Sequence, residues 1–151
     1  NNLRMLASGP RAGLSEIQLP ANEPGSSIMP GKVNPTQIES LTMIATQVIG
    51  NDAAVAMACS QGHLQLNVFK PLIVYNVLTS VELLGSGADY FSRYCLTGME
   101  CNTAQLAHNV ERSLMIVTAL APELGYDKAA KIAKHAQQHN QTIREVLIEQ
   151  D

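Results

Sequence analysis

Gly25-Ser26-Ser27-Ile28-Met29-Pro30-Gly31-Lys32-Val33-Asn34-Pro35 is the stretch on which the reading of this chain turns. It gathers two hydroxyls, one cation, one amide and two glycines into a run that Pro30 and Pro35 keep from becoming helix. A long apolar helical pattern starts directly after it. Such a loop offers several hydrogen-bond donors to one small anion. The charge of Lys32 and the N-terminus of the following helix both favour negative charge there. The loop therefore reads as the site of an enzyme that handles a small carboxylic acid.

Gly/Pro/Ser-rich runs are usually plain connections. Two details argue for more here. Ile28 and Met29 are apolar inside the loop, and Lys32 stands among glycines and amides rather than among other charges. A phosphate-binding P-loop needs four residues between its glycines and Ser or Thr after the Lys. Five residues separate Gly25 from Gly31, Val33 follows Lys32, and no buried strand precedes the run, so that motif is excluded.

Outward from the loop, Pro35 in a first turn and the acid Glu39 mark a helix start. The pattern predicts a helix from about 35 to 60, kinked at Gly50, with the stripe Ile38, Leu41, Ala45, Val48, Val55 and Cys59. After a turn at Gln61-Gly62-His63, a second helix is predicted from about 67 to 96, with Pro71 in its first turn. Its stripe is Phe69, Ile73, Val77, Leu84, Ala88, Phe91 and Cys95. Residues 35–96 hold only six charged side chains, whereas residues 102–151 hold eleven. The two long helices are thus apolar nearly all round, as inside a large bundle. One chain of 151 residues cannot cover both faces of two such helices, so a helical oligomer is expected. Met43, Met57 and Met115 read as packing residues, and Cys59 and Cys95 as small core residues.

Before the loop, residues 1–8 read as a helix end closed by Gly9-Pro10, and residues 15–19 as a short extended segment. After Thr97-Gly98, short helices are predicted at about 103–111, 113–120, 127–138 and 142–150, with Asp127 as an N-cap. The expected class is all-α. Residues 1–97 form a helical-bundle part carrying the loop at 20–35, and residues 98–151 a small, incomplete helical domain.

Charged residues make up 15% of the chain and the net charge is −3 with no basic run, which excludes the usual footprint of a nucleic-acid binder. Three cysteines without metal-ligand spacing fit a reducing compartment. No secretory signal pattern and no uninterrupted apolar stretch of ~18 residues is seen, so a soluble cytoplasmic protein with no membrane partner is expected. Asn1–Ser8 reads like the tail of a helix cut open. His135 and His139 stand one turn apart, but two ligands without a third read as surface residues rather than a metal centre. His63 and His108 read as structural, and Asn140-Gln141-Thr142 matches a glycosylation sequon without any sign of secretion.

GSSIMPGKVNP resembles the mobile loop of the fumarase/aspartase superfamily, whose members add or eliminate across a fumarate double bond. The resemblance extends from Leu6-Ala7-Ser8-Gly9-Pro10-Arg11 through Gln47–Asp52, Leu66–Pro71 and Leu124–Lys134. Pro35-Thr36-Gln37, Asn67–Pro71 and Gly125–Lys128 are most similar to its class II fumarase branch. The resemblance implies a C-terminal piece of a longer enzyme that interconverts fumarate and (S)-malate in the tricarboxylic acid cycle. It also implies a homotetramer with a shared central bundle, no cofactor and no metal. The compartment would be the cytoplasm, or the mitochondrial matrix in a eukaryote.

By the same resemblance Ser26 is the catalytic base, a role that residue chemistry alone would not assign to serine. Ser27, Lys32 and Asn34, with the backbone at Val33, match the positions that hold substrate carboxylates. Glu39 matches an acid that supports the Lys and the general-acid system, and its plain alternative is complementing the helix dipole. The family builds each site from three segments of different subunits, and none of the four histidines here matches its general acid. The isolated chain is therefore expected to lack a complete site. An aspartate ammonia-lyase on the same scaffold, or a non-catalytic helical assembly module, are the alternative readings.

Overall fold

The computed structural model describes residues 1–25 and 28–150; the side chain of Gln150 is not included. It is all-α apart from two two-residue strands. Two compact units are present, residues 1–100 and 101–151.

The first unit opens with α1 (Asn2–Leu6) and β1 (Ile17–Gln18). The loop follows, and then two long helices, α2 (Thr36–Cys59) and α3 (Lys70–Phe91). A five-residue π-helical segment, Ser92–Leu96, prolongs α3 to the length the sequence predicts. β1 pairs with β2 (Glu100–Cys101), the strand on which the first unit ends.

Helices α2 and α3 form a hairpin whose inner face differs from the predicted stripes. On α2, Ile38, Asn51 and Ala58 are buried, while Ala45 and Cys59 are exposed. On α3 the inward positions are Ile73, Asn76, Ser80, Leu83 and Gly87, whereas Val77 and Leu84 remain exposed at 45% and 44%. The reason is steric. A Cβ on Gly87 would meet Ile44 Cδ1 at 2.6 Å, so the helices cross closely where side chains are small. Polar rungs then fix the register. Asn51 Nδ2 donates to Ser80 Oγ at 3.0 Å, Gln47 Nε2 donates to Asn51 Oδ1 at 2.8 Å, and Ser80 Oγ donates to the Asn76 carbonyl at 2.7 Å. At the tip, Asn67 Nδ2 donates to the Ala58 carbonyl at 3.0 Å and Asn67 Oδ1 accepts from the Phe69 amide at 2.8 Å. That turn delays α3 to Lys70, three residues later than predicted.

The large apolar side chains face outward. Ile49, Met43 and Met57 on α2, and Tyr75, Leu78 and Val81 on α3, are each more than 60% exposed. Met115 is 80% exposed as well, so none of the three methionines packs in a core within the chain. The chain exposes 11158 Å², against about 7,500 Å² for a folded monomer of 16.3 kDa. α2 is assigned as one helix through Gly50. By length and composition it could cross a membrane, unlike the sequence expectation, although core helices of soluble proteins pass the same test. Its buried Asn51, bonded to α3, fits a helix–helix seam.

The second unit contains α4 (Thr103–Arg112), a 3-10 turn at Leu114–Ile116, α5 (Val117–Leu124), α6 (Tyr126–His139) and α7 (Ile143–Gln150). Ile132 and Ala136 of α6 close on Ile143 and Val146 of α7, with Leu114, Val117, Leu120 and Leu124 against them. Gly125, at φ +79, ends α5 and caps α6, so Asp127 lies in the first turn rather than at the cap. At α7, Glu145 Oε2 accepts from the Thr142 amide at 2.7 Å and Thr142 Oγ1 accepts from the Glu145 amide at 3.2 Å, a capping box. Arg144 Nε donates to Glu111 Oε1 at 2.8 Å, joining α7 to α4.

Candidate active site

The loop leads into α2 by a turn whose chemistry explains its sequence. The Lys32 amide donates to the Met29 carbonyl at 3.3 Å, with Pro30 and Gly31 between them. Gly31 has φ +79. Proline second and a positive-φ glycine third are what a type II turn requires. The other glycine serves a different end. A Cβ on Gly25 would overlap the carbonyl oxygen of Lys32, so only glycine lets the two limbs of the loop meet. The segment between them is thereby closed at its base.

From Lys32 the chain runs without regular secondary structure to Pro35, the N-cap of α2. Pro35 thus precedes the first turn instead of lying in it. Its carbonyl accepts from the amides of Ile38 and Glu39, both at 3.0 Å. Thr36 does not cap the helix with its side chain; its hydroxyl donates to Glu23 Oε1 on the entering limb. Asn22 Nδ2 donates to the Tyr94 carbonyl, tying the same limb to the π-helical segment.

These contacts outline a groove lined by Leu19, Pro20, Asn22 and Glu23, then Val33 to Ile38, and finally Tyr94 and Cys95. Val33 and Asn34 line it. Lys32 is exposed beside the groove. Glu39, also outside the lining, is half-buried and faces Arg4, with Nη1 3.9 Å from Oε1. Ser26 and Ser27 lie outside the described residues. Burial pushes the Cys95 thiol above its ordinary value, which keeps it an inert wall rather than a nucleophile.

Sequence reasoning missed Glu23, Asn22, Tyr94 and Arg4 as neighbours of the loop. Glu23 and Asn22 lie directly before the motif, so their proximity in sequence was a usable signal. Tyr94 and Arg4 arrive from distant segments and carry none. Among the described residues, no group of three or more His, Cys, Asp or Glu side chains could hold a metal ion.

Comparison with known proteins agrees with the loop. Residues 1–50 match a family model described as a lyase, and residues 116–151 match one described as the fumarase C C-terminus. The chain is 62% identical over 148 residues to the class II fumarate hydratase of Pseudomonas putida, covering 98% of this chain and 32% of that protein. It is 60% identical over 149 residues to that of Thermosynechococcus vestitus, with 99% and 32% coverage. It spans about a third of the length of these relatives. Among solved structures, the class II fumarase of Schistosoma mansoni superposes with a TM-score of 0.92 at 50% identity, over 99% of this chain and 31% of that one. The fumarate lyase:delta crystallin of Brucella melitensis in native form also gives 0.92, at 52% identity, over 99% and 34%. The loop, the long-helix hairpin and these likenesses over nearly the whole chain agree: the chain belongs to the class II fumarate hydratase family of the fumarase/aspartase lyases, and it matches that family's C-terminal portion.

Proposed function

We propose that this chain works, as part of a longer protein, in the reversible hydration of fumarate to (S)-malate in the tricarboxylic acid cycle. The observation that carries the reading is the loop itself: GSSIMPGKVNP, closed at Gly25 and Lys32, delivered to the N-terminus of α2 in a chain 62% identical to a fumarate hydratase.

The chemistry follows from what the loop offers. Dehydration of malate needs a base at carbon 3 and an acid at the carbon 2 oxygen. Ser26 takes the proton from carbon 3. The electron pair left behind spreads into the adjacent carboxylate, which becomes a dianion. Lys32 supplies a cation to that charge, while Ser27, Asn34 and the Val33 amide supply directional hydrogen bonds. The N-terminus of α2 adds its partial positive charge. Glu39 supports this system through its charge beside the loop. The general acid and the remaining carboxylate ligands come from other segments, contributed by other copies of the chain. The uncovered Val, Leu, Ile and Tyr side chains of α2 and α3 support that assembly, which we take to be a homotetramer with a shared helical bundle. No metal or cofactor enters the step. The compartment would be the cytoplasm, or the mitochondrial matrix if the source is eukaryotic.

The test is an assay of the full-length protein that carries this chain. Loss of fumarate absorbance with formation of malate is the expected result, with no ammonia released from aspartate. Ammonia release at a rate rivalling malate dehydration would overturn the proposal. The 151-residue chain alone should turn over no fumarate.

A further inference from the structure

We propose that Asn22 is a positioning residue for the loop reaction, mooring the limb that enters the loop to the Tyr94 carbonyl beyond α3; this rests on the fumarate chemistry proposed above. The limb is tied down step by step. β1 pairs with β2, and Pro20 then passes Gly98, where an added Cβ would stand 3.6 Å from Pro20 Cγ. Asn22 Nδ2 donates to the Tyr94 carbonyl. One residue on, Glu23 accepts from the Thr36 hydroxyl. Asn22 and Glu23 thus join the π-helical end of α3 to the start of α2 around the groove.

The acceptor is set by the backbone. A helix end leaves carbonyls without a partner in the helix. Here the last turn is the π-helical segment Ser92–Leu96, in which the Thr97 amide donates to the Ser92 carbonyl at 3.0 Å. Thr97 is extended and Gly98 has φ +90, so the helix supplies no further turn above Tyr94. Cys95, the next residue, is 2% exposed, and the Tyr94 ring stacks on Tyr90 with centroids 5.7 Å apart. The carbonyl is therefore a fixed point. It only accepts, so an amide at position 22 donates to it where an ionised carboxylate of the same size would repel it. Two limbs share the chemistry. Ser26 follows Asn22 by four positions in sequence, whereas Lys32, Val33 and Asn34 lie on the limb that runs into α2. Loosening Asn22 displaces the base more than the carboxylate ligands.

The experiment uses the full-length protein with Asn22→Asp and Asn22→Ala, the second removing the bond without adding a charge. Steady-state kinetics with malate and fumarate are read beside hydrogen exchange by mass spectrometry. In both variants kcat should fall on the order of 100-fold, the scale of a misplacement of about 1 Å, with KM within about threefold of wild type. Amides from Ile28 to Asn34 should exchange faster, while those of α2 and α3 keep their protection. Near-normal kcat in both variants would overturn the proposal. So would a raised KM at unchanged kcat, or faster exchange spread equally over α2 and α3, which marks a merely structural role. A wild-type protein that does not hydrate fumarate would count against the proposed function alone, and the exchange arm would still decide whether Asn22 holds the loop.

Discussion

Gly25 lies against the carbonyl oxygen of Lys32, so closely that a side chain on Gly25 would have to displace the backbone of Lys32. The two residues bracket the loop and hold its limbs together. Gly25→Ala should spread them and shift Lys32, Val33 and Asn34 away from the substrate. A misplacement of about 1 Å costs on the order of 100-fold in rate. We expect a loss of that size in kcat/KM of the full-length enzyme, with the melting temperature little changed. Near-normal kcat/KM would mean that the loop closes without this contact.

Ser26→Ala and Lys32→Met should fail differently. The first removes the proton acceptor and leaves the carboxylate ligands, so kcat falls steeply while apparent binding changes little. The second removes a charge-assisted bond of ~1.5–3 kcal/mol in the ground state, and more as charge grows toward the transition state. Both kcat and KM should then suffer. Steady-state kinetics beside melting curves separate the two, and a Ser26→Ala enzyme with near-normal turnover would remove Ser26 from the role of base.

Gly87→Ala tests the hairpin. The added methyl would meet Ile44 Cδ1 at 2.6 Å. Ile44 must then leave its rotamer or α3 must move, which costs about 1–3 kcal/mol, more than alanine's better helix propensity returns. The expected readout is a lower midpoint in urea unfolding. A higher midpoint would show that the α2–α3 crossing is loose at this level.

The capping box at α7 predicts a pH dependence. The Thr142 backbone amide, then its hydroxyl, bonds the Glu145 carboxylate and holds its pKa below the ordinary value. A depressed folded pKa means that the ionised form is the one the fold prefers. Its contribution is therefore present above the unfolded carboxylate value and disappears as pH falls through the folded one. Glu145→Ala should lower the melting temperature at neutral pH. The gap from wild type should shrink on acidification below the usual carboxylate range. Melting curves across that range check it, and a gap that stays constant would show that ionisation plays no part in the cap.

Helix existence was legible in the sequence, and helix facing was not. The 3.6-residue pattern placed α2 within one residue at each end. A helix that is apolar nearly all round, however, has no preferred side for a pattern to reveal. The side was chosen by Gly87, Ser80, Asn76 and Asn51, whose small volume and hydrogen bonds draw the helices together, while Val77 and Leu84 were left outside. Local caps misled for a related reason. Asp127 has the right chemistry for an N-cap, but Gly125 can adopt φ +79 and took the position first. In the site, the turn at Pro30-Gly31 was readable because it uses local rules. The pairing of Glu39 with Arg4 was not, since 35 positions in sequence separate them.

The hydrogen-bonded rungs of the α2–α3 hairpin also bear on how the protein is made. The two helices are neighbours in sequence, and their inner contacts involve no other chain, so this hairpin can close as soon as it has left the ribosome. Closing it, however, leaves Tyr75, Leu78 and Val81 in water. The newborn chain is then well formed and adhesive at once. On the assembly proposed above, its yield in a cell should depend on how soon sister chains arrive relative to chaperones and aggregates.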